Sequence, residues 1–489
     1  MGLAGRFRRR RVEMMRNRLT IAALLSVLLT SCTVGPKYVR PTVKSPAVFR
    51  GTDPAAPGDQ ASLGDLKWFE IFKDPQLQGL IRAALVQNYD VRLAVDRELQ
   101  ARANLGVTRS NQFPQIGAGA QFTSTTLSEQ GQFVFPPSLP PGFFIARTRN
   151  FGSILLNLAS FEVDIWGKLR RATESARASL LASDENRKAV LVTLVSDVAT
   201  DYFNLIELDS ELEIAKRTLS TRQESLRLIK LQQQNGVAST LEVRQGEELV
   251  YTASVTVPNI ELEIEETENR IHLLLGEDPG PVARGRSLID QEQPPMVPAG
   301  LPSQLLERRP DIMAAEQNLV AANANIGVAR AAYFPDISLT GFLGTQASQL
   351  SKLFTGPTTY WNFVPQLSQP IFNGGRIKSS VKLAQAEREE MLTQYERSIK
   401  TGFSEVSNAL VQMRKVREVR VQQELLVAAV RDRVRLSYMR YRGGVDTLLN
   451  ALDADRDLFT NELILAQDRR NELLALVQLY KALGGGWRQ

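Results

Sequence analysis

The chain has 489 residues with 59 Lys and Arg against 53 Asp and Glu, a formal net charge of +6, one Cys and one His. Seven Arg and one Glu lie in residues 1–31, so the remainder carries 52 basic and 52 acidic residues and is formally neutral. Neutrality removes the compositional case for nucleic-acid binding; one Cys excludes an intrachain disulfide, and one His beside no Cys offers no metal set.

The first element is a leader. Arg6, Arg8, Arg9, Arg10, Arg11, Arg16 and Arg18 precede Leu19 to Leu29, an apolar run of 11 residues. That run is shorter than the roughly 20 helical residues a bilayer needs and has secretory-signal form. Thr30-Ser31-Cys32 follows, a small residue before the lone Cys, which is the bacterial lipobox pattern. It predicts cleavage after residue 31 and diacylation of Cys32. Thr33, where an aspartate would retain the protein at the inner membrane, directs it to the outer membrane. No further apolar run of about 18 residues is evident, so no transmembrane helix is expected in the mature chain.

Residues 32–67 are rich in Pro, Gly and Ala and read as an extended tether. Asp74-Pro75 predicts an N-cap followed by Pro at the first helical position. The helix should run to about residue 111, where Phe113-Pro114 stops it. The period then changes to two: Ile116, Ala118, Ala120 and Phe122 predict one strand, and Ile154, Leu156 and Leu158 another, with Phe161, Val163 and Ile165 resuming after a break. Pro136, Pro137, Pro140 and Pro141 mark the loop between them. Leu191, Val198, Leu205, Leu212, Leu219 and Leu226 recur every seven residues. This predicts a coiled-coil helix from Lys168 to about Gln233, roughly 100 Å long. Asn235-Gly236 turns the chain, Ser239 and Glu242 form a capping box for the returning helix, and Gly276 ends it.

The plan then repeats. Ala103 to Val107, leading into Phe113-Pro114-Gln115-Ile116, returns as Ala324 to Val328 leading into Phe334-Pro335-Asp336-Ile337, 221 residues on. Gly167-Lys168 with Gly375-Arg376, Gly236-Val237 with Gly444-Val445, and Leu275-Gly276 with Leu483-Gly484 match at 208. The 13-residue difference falls to the Pro-rich loop. The second strand pair reads Ile337, Leu339, Gly341, Leu343, then Trp361, Phe363, Pro365, Leu367. The second heptad reads Ile399, Val406, Met413, Arg420, Val427, Val434, with Arg420 the polar exception. Asp446 is expected to cap the second returning helix. The predicted organisation is signal peptide 1–31, lipidated tether 32–67, first repeat 68–276, Pro/Gly-rich linker 277–302 and second repeat 303–489. So large a duplicated unit is not a solenoid repeat.

Strands behind an export signal, with Phe133, Phe135, Phe143, Phe144, Phe354, Tyr360 and Trp361 near their ends, fit membrane strands with aromatic girdles. In lipid only helices and closed barrels satisfy the backbone. Four strands cannot close, since about eight is the minimum. Two chains would give eight strands and a filled lumen; three would give twelve and room for a channel. The expectation is a mainly α protein with a membrane β-barrel portion, assembled as a homotrimer. Its helices would form a tube at one rim, facing the periplasm.

Several segments resemble the outer-membrane factors of tripartite efflux pumps, the TolC/OprM-like family, in its efflux lipoprotein branch. They are Trp68 to Leu77, Asp164-Ile165-Trp166-Gly167-Lys168, Leu305 to Asp311, Tyr333 to Ile337, Pro370 to Arg376 and Tyr480 to Trp487. Together they cover nearly the whole mature chain. The resemblance implies a trimeric twelve-strand barrel on a twelve-helix periplasmic tunnel, with four strands and long antiparallel coiled-coil helices from each chain. It implies docking to a periplasmic adaptor and an inner-membrane RND-type transporter as energy source. The protein would be a passive duct for drugs and other small toxic compounds, without enzymatic activity or cofactor.

The resemblance also assigns candidate residues. Asp453 would give a carboxylate ring and Leu449 an apolar ring at the periplasmic aperture, and Tyr441 would help hold that end closed. Gly236, Val237, Gly444 and Val445 would be tips contacting the adaptor. Some relatives carry a basic residue at the position of Asp446, so that tether is not expected here. His272, Lys230 and Arg376 read as structural or solvated. A duct for polypeptides or metal ions shares most of these features; eight Met give no sign of a soft-metal lumen. A lipid-anchored coiled-coil scaffold explains the heptads but not the strand pairs.

Overall fold

A computed structural model describes residues 33–44, 46, 48–51, 62–126, 128, 148–292 and 304–487. Cys32, the Pro-rich loop and Phe133, Phe135, Phe143 and Phe144 lie outside these. The described elements are α1 (Trp68–Ile71), α2 (Pro75–Gln87), α3 (Tyr89–Ser110), β1 (Ile116–Thr126), β2 (Thr148–Glu162), α4 (Lys168–Gln234) and α5 (Thr240–Leu275). Then come α6 (Leu305–Arg308), α7 (Pro310–Ala331), β3 (Asp336–Ala347), β4 (Thr359–Ser368), α8 (Arg376–Arg442) and α9 (Leu448–Ala482). The long helices α4 and α8 have 67 residues each, about 100 Å apiece.

The chain forms two compact units, and each draws on both copies of the repeat. One comprises Met1–Arg40, Gln100–Leu180 and Asn318–Leu392; the other comprises Pro41–Leu99, Leu181–Gln317 and Thr393–Gln489.

The first unit holds the sheet, four antiparallel strands in the order β1-β2-β3-β4. Its register sorts the residues by face. Ile116, Ala118 and Ala120 pair with Leu158, Leu156 and Ile154; Leu156 pairs with Leu343, and Leu343 with Trp361. One face is therefore apolar across all four strands. The other carries Gln121, Ser153, Asn157, Thr340, Asn362 and Gln366, with Phe342 and Val364 among them. A bulge between Leu158 and Phe161 adds one residue on β2, so Phe161 pairs with Leu339 and stays on the apolar face. That bulge is the break in the sequence period. At the foot of the sheet Trp166 stacks on Phe334 at 4.6 Å between ring centres and donates to the Pro335 carbonyl at 2.9 Å. Asp164 accepts from the amides of Leu169 and Arg170 and so closes the start of α4.

The tether is extended but not free. In the first unit Val34 donates to the Trp166 carbonyl at 3.0 Å, Arg171 donates to the Val34 carbonyl and Asn323 to that of Pro36. In the second unit Phe49 is buried edge-on against Phe403. Tyr202, Leu205, Ile271, Leu77, Ile81 and Tyr480 are fully buried there. All twelve heptad positions are buried or half-buried. Arg420, the polar one, is paired with Glu472 of α9 at 2.6 Å.

Two expectations change. The helix read from residue 75 to about 111 is two helices: Asn88 interrupts it, accepting from the amides of Asp90 and Val91 to start α3. Contrary to the sequence reading, α4 contains an 18-residue window with mean hydropathy 1.4, apolar enough to cross a membrane, yet 61% of it is buried inside the protein. Packing against other helices accounts for that apolarity.

Candidate functional site

The two hairpin ends share one turn geometry. Val237 donates to the Gln232 carbonyl and Gly236 to that of Gln233; Val445 donates to the Arg440 carbonyl and Gly444 to that of Tyr441. These are Schellman closures with glycine in the left-handed conformation, at φ 72° and 70°. A side chain at either glycine would meet nothing within 4 Å, so conformation, not space, demands glycine there. Val237 and Val445 are exposed beside them. Ser239 forms the expected capping box with Glu242.

Behind the turns the hairpins pack together. Ile229 and Val243 meet Leu448, Ala451 and Leu452, with Tyr438 and Tyr441 against them. Tyr441 donates to Gln232 Oε1 at 3.1 Å. Its hydroxyl pKa is raised by burial and then by the charge of Glu242. Tyr441 thus joins α8 to α4 within one chain.

Leu448, Ala451 and Leu452 face this core, which turns Leu449 and Asp453 the other way. Leu449 is 47% exposed. The Asp453 side chain is 40% exposed and lies 3.5 Å from Arg456. The two share one face of α9, as their spacing requires, and neither packs into the chain's own core.

Asp446 is not the N-cap. Thr447 holds that position and makes no side-chain cap bond. Asp446, one residue earlier, accepts from Asn450 at 2.6 Å, from the Thr447 amide at 2.8 Å and from Arg440 at 3.1 Å. Those bonds, Asn450 first, hold its carboxyl below the usual value.

Arg222 was not legible as a site residue. Its guanidinium is buried, meets Asp455 at 2.7 Å, donates to the Leu249 carbonyl at 3.0 Å and lies over the Phe459 ring. One side chain therefore ties α4, α5 and α9. The available signal was its place three residues after Leu219, on the apolar stripe of the heptad. No group of His, Cys, Asp and Glu able to hold a metal ion occurs among the described residues.

Comparison with known proteins places this geometry in context. The family model described as outer membrane efflux protein matches residues 80–277 and 301–485. The probable efflux pump outer membrane protein TtgC of Pseudomonas putida is 35% identical over 472 residues, 95% of each chain. The cation efflux system protein CusC of Escherichia coli is 34% identical over 467 residues, 95% of this chain and 98% of the other. The open state of the Neisseria gonorrhoeae MtrE outer membrane channel superposes with a TM-score of 0.83 at 31% identity, covering 94% of this chain and 99% of that one.

Proposed function

This chain belongs to the outer membrane efflux protein family, and on that premise we propose that three copies form a passive exit duct for drugs and other small toxic compounds. As in its relatives, the chain is an outer-membrane efflux channel, mainly helical with a four-strand antiparallel sheet. The observation that carries the trimer is the sheet: one apolar face, one largely polar face, and two open edges at β1 and β4. Such a sheet fits lipid outside and water inside only when other chains close it. Twelve strands from three chains leave a lumen.

In this reading Cys32 carries the acyl anchor, and residues 68–276 and 303–489 are the two repeats joined by the linker 277–302. The helical hairpins project into the periplasm. The exposed tips at Gly236, Val237, Gly444 and Val445 meet a periplasmic adaptor, and an inner-membrane RND-type transporter supplies the energy. Leu449 and Asp453 narrow the periplasmic aperture, with Tyr441 holding it shut. Three Asp453 carboxylates around one axis would repel one another and attract cations. The exposure of Leu449 and Asp453 away from the chain's own core supports that placement.

The test combines cells and bilayers. Deleting the gene should raise intracellular accumulation of pump substrates, and unchanged accumulation with every partner present would count heavily against the duct. Purified protein should run at the mass of three chains and conduct in planar bilayers, with Asp453→Ala lowering cation preference. No conductance from trimers, even with Asp453→Ala, would favour a non-channel scaffold.

A further inference from the structure

Helix α5 carries two apolar stripes, and the chain covers only one. Val243, Val250, Ala253, Ile264 and Ile271 are buried. Leu241, Tyr251, Val255, Leu262 and Leu273 are 56% to 70% exposed. At roughly 100° per residue the second set falls along one line, about half a turn round the helix from the first. The end of α8 repeats this. Val427 and Val430 are buried, and Arg420 and Gln423 reach Glu472 and Asn461 of α9. Val421, Leu425, Leu436 and Met439 lie about half a turn away from these and are exposed. A helix apolar on two opposite sides needs cover on both.

The inner faces are already taken. Helix α9 lies against α4, where Arg470 meets Glu207 at 3.1 Å, Gln467 donates to Glu211 at 2.8 Å and Glu462 meets Arg217 at 2.6 Å. In turn α4 is paired with α5 through Lys216–Glu261 and Lys230–Glu247. The outer faces of α5 and α8 are left as uncovered flanks, and they differ in charge. Helix α5 has eight Glu and two Arg, a formal −6, whereas residues 414–442 of α8 have nine Lys and Arg and three Asp and Glu, a formal +6. Unlike flanks of opposite charge suit a head-to-tail contact between copies, the kind that closes a ring.

The stripes also match in height. Tyr441 bonds Gln232, and Ile229 and Val243 meet Leu448, so the two hairpin turns are level. Leu262 is 22 residues beyond Thr240 and Val421 is 21 before Arg442, about 33 and 32 Å from the turns. One turn farther up, Glu266 continues the α5 stripe and Arg414 that of α8; both are exposed and neither makes an ion pair among the described residues. Helix α5 runs away from its turn and α8 towards its own, so the two would meet antiparallel. We infer that α5 of each copy packs on α8 of the next, an acidic helix on a basic one, with Glu266 opposite Arg414. The inference rests on the trimer proposed above and assigns the contact that closes its helical wall.

Cross-linking of the full-length protein in detergent tests this, with the mass of the assembly measured first by light scattering. Val255→Cys with Leu425→Cys places one thiol on each stripe at similar height. A short bismaleimide should convert the monomer band on a denaturing gel into covalent dimers and trimers, while each single variant stays monomeric. A protein with the mass of three chains that yields only monomers, although both thiols react with a maleimide after unfolding, overturns this contact and leaves the trimer standing. A mass of one chain overturns both. Should the cysteine pair block assembly, the charges give a second test. Arg414→Glu sets like charges against each other and should shift the protein from trimer to monomer at low salt, and adding Glu266→Arg should restore the trimer. An Arg414→Glu protein as fully trimeric as wild type, or a double variant no better than the single one, overturns the proposal.

Discussion

Asp74 shows how much one side chain can organise. It is buried, and it accepts from Tyr202 Oη at 2.8 Å, from the amides of Gln76 and Arg286 at 2.9 and 3.0 Å, and from Gln291 at 2.9 Å. The sequence offered it as an N-cap, which it is. Its hold on the segment after α5 needed the tertiary fold, because Arg286 and Gln291 are distant in the chain. Burial alone would raise its carboxyl, but the bonds from Gln291, Arg286, Tyr202 and Gln76 outweigh burial and lower it. Asp74→Ala orphans those donors and should cost roughly 3 kcal/mol, seen as an earlier denaturation midpoint in detergent. A lowered pKa stabilises above the ordinary carboxylate value and is lost as pH falls through the folded one. The gap between wild type and Asp74→Ala should therefore close below about pH 4.

Among the elements, the long helices were the most legible. An apolar residue every seven positions reports its own period, and α4 ends one residue beyond the expected point. The polar heptad position was visible but not its meaning. Arg420 and Glu472 are both nearly buried, at 8% and 6% side-chain exposure, and Glu424 adds a second partner at 3.0 Å. Removing Glu472 leaves the buried Arg420 charge with only the more exposed Glu424 as its partner. Glu472→Ala should thus destabilise the α8–α9 hairpin by about 3 kcal/mol, while Arg420→Met with Glu472→Met should stay close to wild type. Thermal unfolding of the three proteins side by side checks this. A double variant as unstable as Glu472→Ala would mean that the pair does more than neutralise itself.

For the whole molecule the proposed anchor and the proposed barrel make separate claims on the membrane. An acyl anchor alone binds by a few chains; a closed barrel is held by its entire apolar belt. Lipase treatment of the assembled protein, which would remove the ester-linked chains proposed for Cys32, should leave it in the membrane pellet after an alkaline wash. Release into the supernatant would mean that the sheet does not span the bilayer. The apolar face running from Ile116 through Leu156 and Leu343 to Trp361 is the reason to expect retention.

The amino-acid order by itself determined the periodic elements and the turns, because each rests on neighbours within a few residues: alternation for strands, heptads for long helices, glycine for left-handed closures; the duplication showed as direct repetition of segments 221 and 208 residues apart. It also carried the family motifs, without explaining why Trp166 and Phe334 accompany each other. The three-dimensional arrangement alone decided the pairings across distance: the stack of Trp166 on Phe334, the reach of Arg222 to Asp455, and the meeting of Glu207 and Glu211 with α9. A charged residue on a long helix looks solvated from its neighbours. Whether it is depends on which other helix the fold lays against it.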